Sequence, residues 1–185
     1  MIYPIVVYGS PILRKVSKEI PQDYENLPEL IESMFETMYN ADGVGLAAPQ
    51  IGKNIRLFVI DAKDMDEEDD SLKNFKKVFI NPKIVNETGI EWSFNEGCLS
   101  IPNIREDIVR LSEIRIQYYD EEFNFYDEKY SGTKARVIQH EYDHLEGILF
   151  VDKISSLRKR LLNGKLKAIT KGTVSDLKYK IKVPG

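Results

Sequence analysis

Apolar positions along this chain recur with two different periods, and each change of period marks an element. Leu27, Leu30, Ile31, Met34, Phe35 and Met38 are spaced by three and four, which predicts one face of a helix over about residues 25–40. Pro28 suits its first turn, and Asn40, Asp42 and Gly43 are stop signals. IRLFVID, residues 55–61, and VFINP, residues 78–82, are β-branched and aromatic runs bounded by turn formers, and so read as buried strands. Further strands are expected in IVNETGIEWSF, EIRIQYYD and FNFYDEKYSG, where Ile114, Ile116 and Tyr118 alternate with Arg115, Gln117 and Tyr119 as in hairpins.

The helical period returns near Thr133, behind a candidate cap at Ser131, and runs through Ala135, Ile138, Tyr142 and Leu145 to a stop at Gly147. A last helix starts after Ser155 or Ser156 and carries Leu157, Leu161, Leu162, Leu166 and Ile169 toward Gly172. These elements predict an α+β fold: antiparallel or mixed sheets around one central helix, with a helix near each end of the chain. Between the first two strands, DAKDMDEEDDSLKNFKK reads as an exposed acidic loop with nothing for a core to bury. It lacks the spaced Gly and closing Glu of a calcium-binding EF-hand.

Composition narrows the class. With 185 residues, 42% apolar and 30% charged, the chain suits a single soluble domain over residues 1–185. No apolar run approaches the ~20 residues of a membrane span. MIYPIVVYGSPILR lacks the basic start and long apolar core of a secretory signal, so a cytoplasmic protein is expected. A net charge of -4 points to no DNA partner, and nothing demands more than a monomer. The charge is uneven: ten Lys/Arg fall between Val151 and Gly185 against Asp152 and Asp176, so an acidic body carries a basic segment over about residues 155–185. Its bland reading is a solvated amphipathic helix; its sharper one is attraction to the phosphate-rich surface of a ribosome.

The central helix carries the chemistry. QHEYDHLEG, residues 139–147, places His140, Glu141 and His144 in HExxH spacing, which puts two imidazoles on one helical face beside a carboxylate. These are the chain's only two histidines. A pair of this kind binds a metal, with Glu141 placed to take a proton from the water that the metal polarises. One ligand is missing. The metzincin-type position six residues after His144 is Phe150, no Glu follows Glu146, and Asp152 and Asp176 are the weaker downstream candidates. Upstream, the single cysteine, Cys98, lies in NEGCLSIP, where Gly97 permits close backbone approach. A lone Cys is more often a small buried hydrophobe, but a thiolate there completes a Cys/His/His set with an open fourth position. One Cys and two His accept iron, zinc, nickel or cobalt.

GVGLAAPQ at 43–50, EGCLS at 96–100 and QHEYDH at 139–144 together resemble the peptide deformylases, as does YGSPILRKVS near the start. The resemblance covers about residues 1–155. It implies hydrolytic removal of the formyl group from N-formyl-methionyl nascent peptides, releasing formate. It also implies metal ligands Cys98, His140 and His144, a metal-bound water as nucleophile, and Glu141 as general base and then acid. The Gln50 side-chain amide and the Leu99 backbone N–H would hold the oxygen of the tetrahedral intermediate. The cofactor would be one divalent ion, Fe2+ in the cell, with Zn2+, Ni2+ or Co2+ as substitutes.

Gly43, Val44 and Gly45 would run as an edge beside an extended peptide, with Gly97 opposite and Arg105 on the peptide backbone. Val44, Leu99 and Val137 are expected to line a methionine pocket, with the Arg136 stem packed there and its head in water. Glu96 and Asp143 are expected to share a buried arginine, for which Arg110 is the candidate. Two other classes compete: a zinc endopeptidase, supported by HExxH alone and weakened by the missing downstream ligand, and a non-catalytic module with a vestigial metal site.

Overall fold

In a computed structural model describing residues 1–185, the chain forms a five-stranded antiparallel sheet with three helices. The elements are β1 (Ile5–Val6), α1 (Leu27–Asn40), β2 (Gly45–Ala47), β3 (Leu57–Asp61), β4 (Lys76–Cys98), β5 (Ile101–Tyr119), β6 (Phe125–Ser131), α2 (Gly132–Leu145), α3 (Ser156–Thr170) and β7 (Ile181–Lys182). The sheet runs β2-β3-β4-β5-β6, and β1 pairs separately with β7 in parallel. The fold is α+β, as the alternation of periods implies. No helix is long and apolar enough to cross a membrane.

The predicted face of α1 is the one it buries: Leu27, Leu30, Ile31, Met34 and Met38 pack with Leu46, Leu57, Val59 and Ile80, while Phe35 is partly covered. Each such side chain contributes roughly 1.5–3 kcal/mol when fully buried. On the other side of the sheet, α2 lays Ala135, Val137, Ile138 and Leu145 against Phe58, Phe79, Ile114 and Ile116. The third cluster joins α3, through Leu162, Leu166 and Ile169, to Ile101, Ile104 and Ile108 of β5.

Four features differ from the sequence reading. VFINP and IVNETGIEWSF belong to one continuous strand, β4, which bends where Asn81 takes a φ of 50° and the register shifts between Ile80 and Lys83. Residues 101–112, unassigned from sequence, form the first half of β5; their inward positions include Glu106 and Arg110, which disguise the alternation. The acidic stretch does supply the core, because Leu72 and Phe75 are buried in the α2 cluster while the acidic residues around them stay exposed. Ser131 stands at the N-cap of α2 but its side chain makes no capping bond.

The last segment, 173–185, is not a free tail. Ile5 N–H donates to Lys180 C=O at 2.8 Å and Val7 N–H to Lys182 C=O at 3.1 Å, so β7 is fastened alongside β1. At the start of α3, the Ser155 hydroxyl caps the helix by accepting from Arg158 N–H at 3.2 Å.

Candidate metal centre and peptide cleft

A third candidate donor beside the HExxH pair comes from the end of β4. Helix α2 crosses the sheet so that His140, Glu141 and His144 face the turn where β4 passes into β5, and there Cys98 joins them. The donor atoms of Cys98, His140 and His144 all lie within 4.8 Å of one another. Cys98 Sγ is 3.3 Å from His144 Nε2. Asp152, the nearer of the downstream candidates, is instead engaged with Arg14 at 2.5 Å, and Asp176 lies across the cleft in the carboxy-terminal segment.

Glu141 is 4% exposed, and its Oε2 is buried without a hydrogen-bond partner. Burial pushes its pKa up to about 7, against the opposing pull of the His140 charge. A cysteine sulfur, two imidazoles and an unpartnered carboxylate converging on one space fit a divalent ion with an open position. His144 Nδ1 has no protein partner, whereas His140 Nδ1 lies 2.8 Å from Glu96 Oε1, which leaves its Nε2 free to ligate.

Behind His140 stands an ion network. Arg110 donates through Nε to Glu96 Oε2 at 2.8 Å, through Nη2 to Glu96 Oε1 at 3.0 Å and through Nη1 to Asp143 Oδ2 at 2.7 Å. The shared arginine expected for Glu96 and Asp143 is therefore Arg110. Burial alone would raise the Glu96 pKa, but hydrogen bonds from His140 and Arg110 outweigh it and hold the group well below the usual carboxylate range. Arg136 corrects the sequence reading: its head is buried rather than hydrated. Its Nη1 donates to Glu96 Oε2 and to Ile108 C=O, both at 2.9 Å, and its Nη2 to Trp92 C=O at 2.7 Å, with the guanidinium over the Trp92 ring.

In front of the cluster opens a cleft of about 650 Å³. Gly43, Val44, Gly45, Gln50, Gly97, Cys98, Leu99, Arg105, Val137, His140 and Glu141 line it, while His144 sits behind at 1% exposure. β2 is the free edge of the sheet, and Val44 C=O accepts from Asp61 N–H at 2.9 Å. Gly45 is required by close approach, since a Cβ there would collide with the Glu141 carboxylate. Gln50 is oriented in advance: its Oε1 accepts from Ala47 N–H at 2.8 Å, so its Nε2 turns to Ser100 Oγ at 3.1 Å and Cys98 Sγ at 3.5 Å. The Leu99 N–H makes no intramolecular hydrogen bond. Arg105 is clamped on Asn95, donating through Nε to Oδ1 at 2.8 Å and through Nη2 to the carbonyl at 2.9 Å.

A model of the polypeptide deformylase family matches residues 2–160. The chain belongs to that family. Among curated deformylases, that of Christiangramia forsetii is 54% identical over 100% of this chain and 97% of its own length. That of Flavobacterium johnsoniae is 59% identical over 93% of this chain and 91% of its own. Among solved deformylases, that of Legionella pneumophila superposes with a TM-score of 0.81 at 37% identity, covering 95% of this chain and 99% of the other. That of Thermotoga maritima gives 0.75 at 42% identity, covering 84% and 99%.

Sequence reasoning missed three residues that line or brace the candidate cleft. Ser100 lies inside the EGCLS motif as the buried partner of Gln50. Phe94, on the same strand as the motif, lines the cleft. Tyr179 reaches the Leu99 carbonyl from the carboxy-terminal segment, and no local pattern announces it.

Proposed function

We propose a division of labour within the cleft for the reaction this enzyme performs, hydrolysis of the N-formyl group from nascent polypeptides. The observation that carries it is the convergence of Cys98, His140 and His144 on the unpartnered carboxylate of Glu141. Those three residues would hold one divalent metal ion, Fe2+ in the cell, with Zn2+, Ni2+ or Co2+ able to replace it. When bound, the ion supplies Lewis acidity and makes water a competent nucleophile by bringing its pKa from about 16 to about 7.

Glu141 accepts the proton of that water and delivers it to the leaving amine nitrogen. Its displacement toward neutral pH suits both halves of this task. Gln50 Nε2 and the free Leu99 N–H face the oxygen of the tetrahedral carbon. Both are preorganised, which is what makes such donors effective, each contributing on the order of 3 kcal/mol. The edge at Gly43, Val44 and Gly45, with Gly97 and Arg105 opposite, takes the peptide by its backbone, so recognition beyond the first residue is largely independent of sequence. Val44, Leu99 and Val137 supply apolar surface for the methionine side chain. A formyl carbon bears only hydrogen, so a closely fitted site around Glu141 and Gly45 excludes the bulkier acetyl group. An endopeptidase is not favoured, since the third ligand comes from Cys98 rather than from downstream.

Metal-loaded enzyme, prepared without oxygen, is expected to release formate from formyl-Met-Ala-Ser and no acetate from acetyl-Met-Ala-Ser. Equal turnover of both would overturn the reading.

The enzyme works as a cytoplasmic monomer, and α3 adds a docking face for the ribosome. Arg158 is paired to Glu106 and Lys159 to Asp152, while Arg160, Lys165, Lys167 and Lys171 stand without ion pairs. Co-sedimentation with ribosomes should fall with salt and with replacement of these four by Gln; unchanged binding at low salt would refute the docking role.

A further inference from the structure

The carboxy-terminal segment lies outside the 2–160 span matched by the family model, yet it forms part of the cleft. Asp176, Leu177, Lys178 and Tyr179 all line it. The segment is fixed on both sides of these residues: Asn103 Nδ2 donates to Ser175 C=O at 3.3 Å, and β7 follows at Ile181 alongside β1. Lys178 Nζ reaches Asp42 Oδ2 at 2.8 Å, although both side chains are too exposed for that pair to contribute much. The contact with consequence is made by Tyr179, whose hydroxyl donates to the Leu99 carbonyl at 2.8 Å.

We propose that Tyr179 is a positioning residue for deformylation, holding the Leu99 turn so that its free N–H stays aimed into the cleft. This rests on the role given above to that N–H. Leu99 and Ser100 are the two residues linking β4 to β5, with Cys98 and Ile101 as the paired ends. Such a link has only two soft dihedrals per residue, so its peptide planes swing unless both ends of each residue are held. Ser100 is held by Tyr8 N–H on its carbonyl at 2.9 Å and by Gln50 Nε2 on its hydroxyl at 3.1 Å. Leu99 has no intramolecular bond on its N–H, and its one polar restraint is Tyr179 on its carbonyl. Its side chain rests beside Gly43, where an added Cβ would come within 2.8 Å of Leu99 Cδ1. The Leu99 carbonyl and N–H lie in successive peptide planes joined through the Leu99 φ and ψ, so holding the carbonyl narrows the range of those two dihedrals and with it the directions open to the N–H.

Tyr179→Phe removes the hydroxyl and keeps the ring that packs beside Leu99 in the α1 cluster. With formyl-Met-Ala-Ser, kcat per bound metal is expected to fall about three- to ten-fold, the range for loss of one restraining hydrogen bond, with KM within about two-fold. In the zinc-loaded protein, the NMR order parameter of the Leu99 N–H should drop from about 0.85 toward 0.6, while those in α2 do not change. An unchanged kcat with an unchanged order parameter overturns the proposal, as does a lowered melting temperature with kcat intact, which would mark Tyr179 as merely structural. If the wild-type protein released no formate, the functional reading would fall, and the order parameter would still decide whether Tyr179 fixes the turn.

Discussion

Replacing Arg110 by Ala tests whether the metal centre depends on the charges behind it. Arg110 makes three charge-assisted hydrogen bonds, two to Glu96 and one to Asp143. Its side chain is 5% exposed and that of Glu96 is 4%, so water cannot replace what is lost. Removing one member of such a buried set leaves the other charged and unpaired, at a cost of about 3–5 kcal/mol. Arg136 and His140 still face Glu96, which argues for the lower part of that range, but Asp143 keeps only Lys153 at 3.7 Å. For a chain of this length the loss corresponds to a melting temperature lower by roughly 6–20 °C. Because Glu96 orients His140, metal retention should weaken as well, by about 10–100-fold in affinity. Urea denaturation of the metal-loaded protein, with metal content measured after dialysis, reads both quantities. Arg110→Lys should recover only part of each, since a lysine keeps the charge and loses the fork that grips Glu96. An Arg110→Ala protein with full metal content and an unaltered unfolding midpoint would refute the reasoning.

Other substitutions separate the remaining roles. Glu141→Ala should lower formate release by at least about 100-fold while metal analysis still finds the ion bound; residual activity near wild type would remove Glu141 from the proton path. Gly45→Ala should cost about 100-fold in kcat, because the new Cβ must displace the Glu141 carboxylate; steady-state kinetics with unaltered kcat would show that this contact is not critical. Chelation should abolish activity, with recovery on adding Fe2+, Co2+ or Ni2+, and should lower the melting temperature, since an ion at 100 times its Kd stabilises by about 2.7 kcal/mol. Met34→Ala, outside the cleft lining and fully buried, should destabilise by about 2–5 kcal/mol and leave kcat per folded molecule unchanged.

Elements whose apolar pattern has one dominant contact face were legible in the sequence. α1 and α2 were found within a residue or two at each end, because Met34 and Ile138 sit in stripes that only a helix brings together. β3 was legible as an unbroken apolar run, all of it buried. The first half of β5 was not, because Glu106 and Arg110 occupy inward positions and are satisfied by Arg158, Glu96 and Asp143, partners distant in sequence. Reading a strand there required knowing that its buried charges have counterions. The same blindness placed the Arg136 head in water and left Leu72 and Phe75 in an acidic loop.

For the site, the limit was different. HExxH is local chemistry, since one helix presents both imidazoles and the carboxylate, whereas Cys98 lies 46 residues from His144. What closes that distance is the pairing of β4 with β5 while α2 packs against β5 and β2, a tertiary fact. Spacing alone left Asp152 and Asp176 open beside Cys98, and it was the resemblance of EGCLS to the family's motif that favoured the cysteine. Tyr179 lies in no such motif: ten tyrosines are present, and only the fastening of β7 to β1 carries this one to Leu99. The candidate chemistry-bearing residues of this cleft are therefore readable in motifs, while the residues that contact and hold them are spread through the chain and emerge only with the fold. Arg110→Ala and Tyr179→Phe act on that second group: the first should show in stability and metal retention, the second in kcat.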